Sequence, residues 1–340
     1  MSKNGQTPQE KPKFAMYWAA SCGGCEIAVL NIGEKILDVD ANFDVVFWPV
    51  AMDAKYKDVE AMPDKSVLLT LFNGGIRNEE NEYMARLLRQ KSQILVAFGS
   101  CANEGCIPGL ANLSSMQEVF DAAYDSVSTE NPQGIRPQFS YQVPEGMLHI
   151  PVFSPVLRTL DQVVDVDYYM PGCPPESHQI AAVIDLVIAV LQGKAELPPK
   201  GTVIGAGDST VCEECQRARN IKKITKLVRI HEVAEVDPDL CLLEQGILCN
   251  GPATRSGCGA RCPLAGAACI GCYGPAVGVV DYGARLMTAV ASVIDSNEPD
   301  EIEDILDGIP DPAGSFYRFN LAHSLLHAAR PALEEVIGER

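Results

Sequence analysis

The chain has 340 residues, 47% of them hydrophobic, and a formal net charge of −18. That length fits two domains and a sizeable core. The acidic surplus speaks against a nucleic-acid partner, because phosphate binding favours a basic surface; it reads instead as a solvated, self-repelling surface.

Residues 1–13 are polar and read as a disordered tail, with no hydrophobic signal segment and no paired-arginine export signal. Phe14–Ala20 reads as the first strand, ending at Ser21-Cys22-Gly23-Gly24-Cys25. The apolar spacing of Ile27, Val29, Leu30, Ile32, Ile36 and Leu37 predicts a helix. Phe43–Val50 and Ser66–Phe72 are the second and third strands, and Asn78–Gln90 is a helix with one charged face. Ser92–Phe98 is the fourth strand, closed by Gly99-Ser100-Cys101. Residues 107–150 show little periodicity and are expected to form an insertion with at most one helix, near Ser115–Tyr124. Val166–Met170 is the fifth strand, closed by Pro171-Gly172-Cys173-Pro174-Pro175, and a helix follows from Glu176 to Leu191. This most apolar run is too short to span a bilayer and contains Asp185, so no membrane is implied and the cytoplasm is the expected location.

Strands alternating with helices imply an α/β, doubly wound parallel sheet over residues 14–195. Ligands in such sheets bind outside the carboxyl ends of the strands. Cys22, Cys25, Cys101 and Cys173 each follow a predicted strand, so the topology gathers four thiolates at one edge.

Ala195–Lys200 reads as a linker into a second domain, residues 196–340. Arg217 to Arg229 looks helical and carries Arg217, Arg219, Lys222, Lys223, Lys226 and Arg229, as a solvated face or as a docking patch for an acidic electron carrier or subunit. Gly283–Asp295 looks helical, Glu298–Asp311 is read as an acidic turn region, and Phe316–Ile337 as a last amphipathic segment. Between these lie Cys212, Cys215, Cys241, Cys249, Cys258, Cys262, Cys269 and Cys272, among many glycines and prolines. No long helix or strand fits through that run, so something besides a hydrophobic core must hold it. Disulfides need an oxidising compartment. Thiolate zinc sites and iron–sulfur clusters, each held by about four thiolates, are the other two readings, and eight cysteines divide into two such sets.

Taken together, Cys22-x-x-Cys25, Gly99-Ser100-Cys101, Pro171-Gly172-Cys173-Pro174-Pro175, Cys249-x-Gly251-Pro252 and Cys269-Ile270-Gly271-Cys272 resemble the small subunit of nickel–iron hydrogenases over roughly residues 14–290. The resemblance implies a flavodoxin-like domain followed by an irregular iron–sulfur domain. It implies that Cys22, Cys25, Cys101 and Cys173 hold a proximal 4Fe–4S cluster, Cys258, Cys262, Cys269 and Cys272 a middle one, and Cys212, Cys215, Cys241 and Cys249 a distal one. Cys262 and Cys212 depart from members that lack a fourth middle cysteine or place a histidine at the distal site; both departures resemble the cytoplasmic, methyl-viologen-reducing and cofactor-coupled group. Electrons from hydrogen oxidation at a nickel–iron centre in a partner large subunit would pass along the three clusters to a further redox subunit, a flavoprotein or ferredoxin-like. No nickel-ligand cysteine pairs remain here, so no catalytic residue is expected in this chain; Glu26 is a candidate proton-transfer helper or, more simply, a helix-dipole carboxylate. Cys106 is left over as a bystander or a redox thiol, and His178 is read as a polar helix residue.

The N-terminal motifs also resemble the cluster-binding subunit of respiratory complex I, which has adjacent cysteines at its first motif and no eight-cysteine tail. A deazaflavin-reducing hydrogenase small subunit and a zinc-stapled assembly protein are the other readings. No GxGxxG follows the first strand, so no nucleotide motif is visible.

Overall fold

A computed structural model describes residues 10–221 and 223–328. Its centre is a five-stranded parallel sheet built from β1 (Lys13–Trp18), β2 (Asp44–Phe47), β3 (Val67–Asn73), β4 (Ser92–Phe98) and β5 (Tyr168–Met170), in the order β2-β1-β3-β4-β5. That is the flavodoxin-like order. The sheet is covered on both faces, so its strands read as nearly continuous apolar runs. Successive residues serve opposite sides: Phe14, Met16, Leu69, Leu71, Val96 and Phe98 enter one core, while Ala15, Tyr17, Phe72, Leu95 and Ala97 enter the other.

Three helices flank this sheet and frame its cysteine-bearing edge: α1 (Gly24–Leu30), α2 (Glu79–Lys91) and α3 (Ser177–Leu191). In α2 the Asn78 side chain caps the Asn81 N–H at 2.8 Å. Glu79, Glu80 and Glu82 open that helix and Arg89 and Lys91 close it, as its dipole favours.

The observed elements differ from the expected ones in four places. The helix expected over Ile27–Leu37 is two, α1 and Ile36–Asn42, separated by a turn in which Gly33 takes φ 66°. Residues 107–150 hold the expected helix, Met116–Tyr124, with a Ser115/Glu118 capping box. They also hold a 3-10 turn at Ile107–Leu113 and a hairpin pairing Ser140–Val143 with Gly146–His149. Neither hairpin strand has a buried face, so no apolar alternation announced it. The described residues of the segment 217–229 are not helical: they run irregularly, with isolated bridges from Ala218 to Leu240, Ile224 to Ile294 and Val228 to Ile247. Long-range pairing and burial of Ile224 and Leu227 override its local helix preference. The supposed acidic turn is a helix, Pro299–Leu306, with proline at its start and Asp300 and Glu301 in its first turn, where negative charge suits the dipole.

The carboxy-terminal half packs a core of its own around α4 (Tyr282–Ala291), with Ile224, Leu286, Ile305 and Phe316. Asp281 organises it, accepting from the Ala284 N–H, the Tyr317 hydroxyl and the Leu325 N–H. The chain then returns across the first half: Cys106 N–H donates to Phe319 O at 2.9 Å, and Gln162 Nε2 to Ala322 O at 2.9 Å. Part of the expected segment Phe316–Ile337 lies outside the described residues. Among the described residues, no helix is long and apolar enough to cross a membrane.

That return strap carries a titratable contact. His323 Nε2 lies 3.4 Å from Asp161 Oδ2, and its Nδ1 3.9 Å from Glu104 Oε2. The Asp161 hydrogen bond pushes His323 up to about 9, and burial pushes Glu104 up to about 7. A raised histidine stabilises the fold fully below its unfolded value near 6.5, and that stability is lost as pH rises through about 9. Glu104, also raised, adds to the decline as pH climbs to about 7. The unfolding temperature of the anaerobic protein is therefore expected to fall between pH 6.5 and 9, and His323→Gln to flatten that fall; an equally steep fall in the variant would remove His323 as its cause.

Candidate metal centres

None of the thirteen cysteines is joined in a disulfide, and they lie in three neighbourhoods that succeed one another in space. The first is built by the ends of β1, β4 and β5. The Ser21–Cys25 turn leaves β1 and enters α1, with Gly23 at φ 80°; a Cβ there would meet the Trp18 ring at 3.0 Å. Gly99 N–H donates to Met170 O, and Ser100 N–H to Gly172 O, each at 2.8 Å. These bonds bring Cys101, in the turn after β4, beside Cys173, in the turn after β5. Cys25 is 7% exposed, and burial, reinforced by Cys173, Cys22 and Cys106, drives its thiol far above the ordinary range. Cys106 belongs to this group in space: its Sγ lies 3.6 Å from Cys173 Sγ and it also hydrogen-bonds Cys101. Cys22 and Cys173 remain exposed.

The second neighbourhood holds Cys258, Cys262, Cys269 and Cys272. Burial pushes Cys272 up to about 12, with Cys173, Cys258 and Cys262 adding to it. The Glu214 carboxylate accepts from the Gly257 and Gly259 N–H groups at 2.8 and 3.0 Å, shaping the loop around Cys258. Cys269 Sγ lies 3.5 Å from Thr254 Oγ1.

The third is a cavity of about 530 Å³ lined by Cys212, Cys215, Cys241 and Cys249. Gly251 keeps it open: a Cβ there would sit 3.1 Å from Cys212 Sγ and 3.7 Å from Cys249 Sγ. Burial pushes Cys212 up to about 12, with Cys249, Cys241 and Cys215 adding and Arg219 opposing.

Each neighbourhood touches the next. Ser100 Oγ donates to the Cys272 carbonyl, joining the first to the second. Cys269 N–H points at Cys249 Sγ at 3.4 Å, joining the second to the third. Glycines and thiolates in sets of four suit iron–sulfur clusters, whose irons supply the positive charge that crowded buried thiolates need. A single zinc ion would draw its sulfurs to about 2.3 Å of one point.

Glu26 is 1% exposed, and its Oε2 accepts from Trp48 Nε1 inside the core. Burial raises its pKa, while Trp48 and Asn73 lower it. His178 is exposed. Several residues that position the cysteines carry no sequence signal. Gln179 on α3 takes the Tyr273 hydroxyl and donates to Gly257 O at 2.7 Å, pinning the cysteine-rich region to the sheet domain. Arg217, read as part of a basic face, is buried and clamps loops by donating to Pro263 O, Asp237 O and Leu240 O. Arg255 similarly donates to Pro275 O and Gly207 O.

Residues 22–187 match the family model of the NADH ubiquinone oxidoreductase 20 Kd subunit. The iron-sulfur subunit of the F420-non-reducing hydrogenase of Archaeoglobus profundus is 40% identical, covering 93% of this chain and 98% of that one. The corresponding F420-non-reducing hydrogenase subunit of Methanothermobacter marburgensis is 36% identical, over 93% and 96%. Among solved structures, the recombinant [NiFeSe] hydrogenase of Desulfovibrio vulgaris Hildenborough aligns with a TM-score of 0.49 at 17% identity, over 81% of this chain and 97% of that one. With 40% identity to a relative matched over nearly its entire length, the chain belongs to the family of F420-non-reducing hydrogenase iron-sulfur subunits.

Proposed function

We propose that this chain is the electron-transfer small subunit of a cytoplasmic nickel–iron hydrogenase. It relays electrons reversibly between a partner large subunit, which carries the nickel–iron centre, and a further redox subunit. Cys22, Cys25, Cys101 and Cys173 hold the proximal cluster; Cys258, Cys262, Cys269 and Cys272 the middle one; Cys212, Cys215, Cys241 and Cys249 the distal one. Each bound 4Fe–4S cluster supplies one-electron redox chemistry. The flavodoxin-like domain, residues 14–195, carries the proximal set, and residues 196–340 carry the other two.

The observation that carries this reading is the unbroken succession of the three thiol sets, with Ser100 against Cys272 and Cys269 against Cys249. The chain itself holds, orders and insulates. The turns after β1, β4 and β5 fix the first set on a rigid sheet edge, while Arg217, Glu214 and Gln179 fix the loops of the others. Backbone N–H groups aimed at sulfur, Gly24 at Cys22 and Cys269 at Cys249, favour the thiolate. All-thiolate ligation keeps the centres more negative than histidine ligation would, which suits low-potential acceptors. Cys22 and Cys173, exposed on the proximal side, mark where the large subunit would close over the first cluster.

The relatives' names, F420-non-reducing, favour this reading over a deazaflavin-reducing small subunit, since coenzyme F420 is the deazaflavin. Anaerobic purification tests the proposal: about twelve irons with matching acid-labile sulfide per chain are expected, together with a nickel-containing subunit. Zinc without sulfide would overturn it in favour of a stapled assembly protein.

A further inference from the structure

Cys269, in the second thiol set, has a chain of hydroxyls behind its sulfur. Thr254 Oγ1 lies 3.5 Å from Cys269 Sγ, and the Tyr282 hydroxyl lies 2.8 Å from Thr254 Oγ1. All three side chains are buried. Gly271 lets the phenol reach them: it takes φ 99°, and a Cβ there would collide with the Tyr282 hydroxyl oxygen. Tyr282 opens α4 directly after its cap, Asp281. The Thr254 hydroxyl also lies 2.7 Å from Asn250 O, but that carbonyl already accepts from the Ala253 and Thr254 N–H groups, at 3.2 and 3.1 Å. Two N–H donors match its two lone pairs, so the hydroxyl proton is free to serve elsewhere. As a thiol, Cys269 donates to Thr254; as a thiolate its sulfur can only accept. The order of protons then runs one way, from Tyr282 O–H to Thr254 Oγ1 and from Thr254 O–H to Cys269 Sγ. Each link polarises the next in a site shielded from water.

We propose that Thr254, aligned by Tyr282, donates a hydrogen bond to Cys269 Sγ and so raises the reduction potential of the cluster held by Cys258, Cys262, Cys269 and Cys272. The inference rests on the function proposed above and adds the side chains that tune one of its centres. The cluster gains one electron and no atom, so its reduced form carries one more negative charge, spread over iron and sulfur. A donor aimed at sulfur stabilises that form more than the oxidised one. Tyr282 is a positioning residue that acts through Thr254: by occupying an Oγ1 lone pair, it turns the threonine proton towards sulfur. Backbone N–H donors are set by the fold, whereas this hydroxyl chain can be removed without altering a ligand.

The test is an EPR-monitored redox titration of the whole anaerobic complex, with iron content measured in each variant. Thr254→Val keeps the shape and removes the hydroxyl. One of the one-electron steps is expected to fall at least tenfold in its reduction equilibrium, about 59 mV, while the others stay. Tyr282→Phe is expected to lower the same step about threefold, and Thr254→Ser, which restores the donor, to hold it within twofold. Thr288→Val, at an exposed threonine on α4 that donates to Ala284 O, is expected to leave every step in place. Should Thr254→Val lose iron, Tyr282→Phe decides alone, and the same step must still fall. Steps unmoved in both Thr254→Val and Tyr282→Phe at full iron overturn the inference. So does an equal fall in Thr254→Ser, or an equal fall of every step, which would report water entry or loosened packing and not one hydrogen bond. Iron missing from the unaltered complex is a different failure: it sinks the cluster reading itself, and this inference with it.

Discussion

Cys101→Ser is expected to remove about four of some twelve irons per chain and to reduce hydrogen-driven dye reduction by the complex by more than a hundredfold, while Cys106→Ser keeps both near the unaltered level. The two thiols make a stringent pair because they are close. Cys106 lies within 3.6 Å of Cys173 and hydrogen-bonds Cys101, and it is buried, so proximity alone does not separate ligand from neighbour. The backbone beneath separates them. Cys101 sits in the first turn after β4, tied to β5 through Gly99 and Ser100, and so faces the Cys22–Cys25 turn across the sheet edge. Cys106 follows a left-handed Gly105, has φ 51° itself, and is held by Phe319 of the returning strap. Serine keeps the size of each side chain but is a poor iron ligand, so the comparison reads ligation and not packing. The reverse result, iron lost with Cys106 and kept with Cys101, would reassign the fourth proximal ligand.

How much of this was legible beforehand depends on where the information resides. The sheet was readable because its strands are buried on both faces, which leaves long apolar runs closed by glycine and cysteine; β4 appears over Ser92–Phe98 as expected. The convergence of Cys22, Cys25, Cys101 and Cys173 was readable from topology alone, since each ends a strand of one parallel sheet. The segment 217–229 was not readable, because its order comes from single bridges to residues 240, 247 and 294, far away in the chain. Its first arginine misled for a related reason: a guanidinium donates to several carbonyls at once, and Arg217 is spent on three loops and not on solvent. The helix Pro299–Leu306 was hidden because acidic residues serve both turns and helix starts. Gln179, Glu214 and Thr254 had no local signature, since each acts on backbone or sulfur brought near only by the fold.

Gly99→Ala is expected to be as damaging as loss of a ligand, though it deletes nothing. Gly99 has φ 81° and ψ 160°, a conformation open almost only to glycine, and an alanine held there costs about 1–3 kcal/mol. The larger effect is spatial: its Cβ would lie 2.3 Å from Cys25 Sγ and 3.7 Å from Cys25 Cβ. The backbone partner cannot yield. The Gly99 backbone is fixed by its bond to Met170 O, whereas Cys25 is buried at the start of α1, where the proposed function has its sulfur hold the first cluster. The thiol must therefore leave its position, and the proximal set is reduced to three. Gly33→Ala is the matched control: its φ of 66° imposes similar backbone strain, but no atom lies within 4 Å of the added carbon. It should cost about 1–2 kcal/mol in unfolding free energy and leave iron content unchanged. Gly99→Ala should lose about four irons per chain as well as stability, both read on anaerobically purified protein. Full iron retention in Gly99→Ala would show that Cys25 is not held against β4, and the sheet-edge assembly of the first site would have to be abandoned.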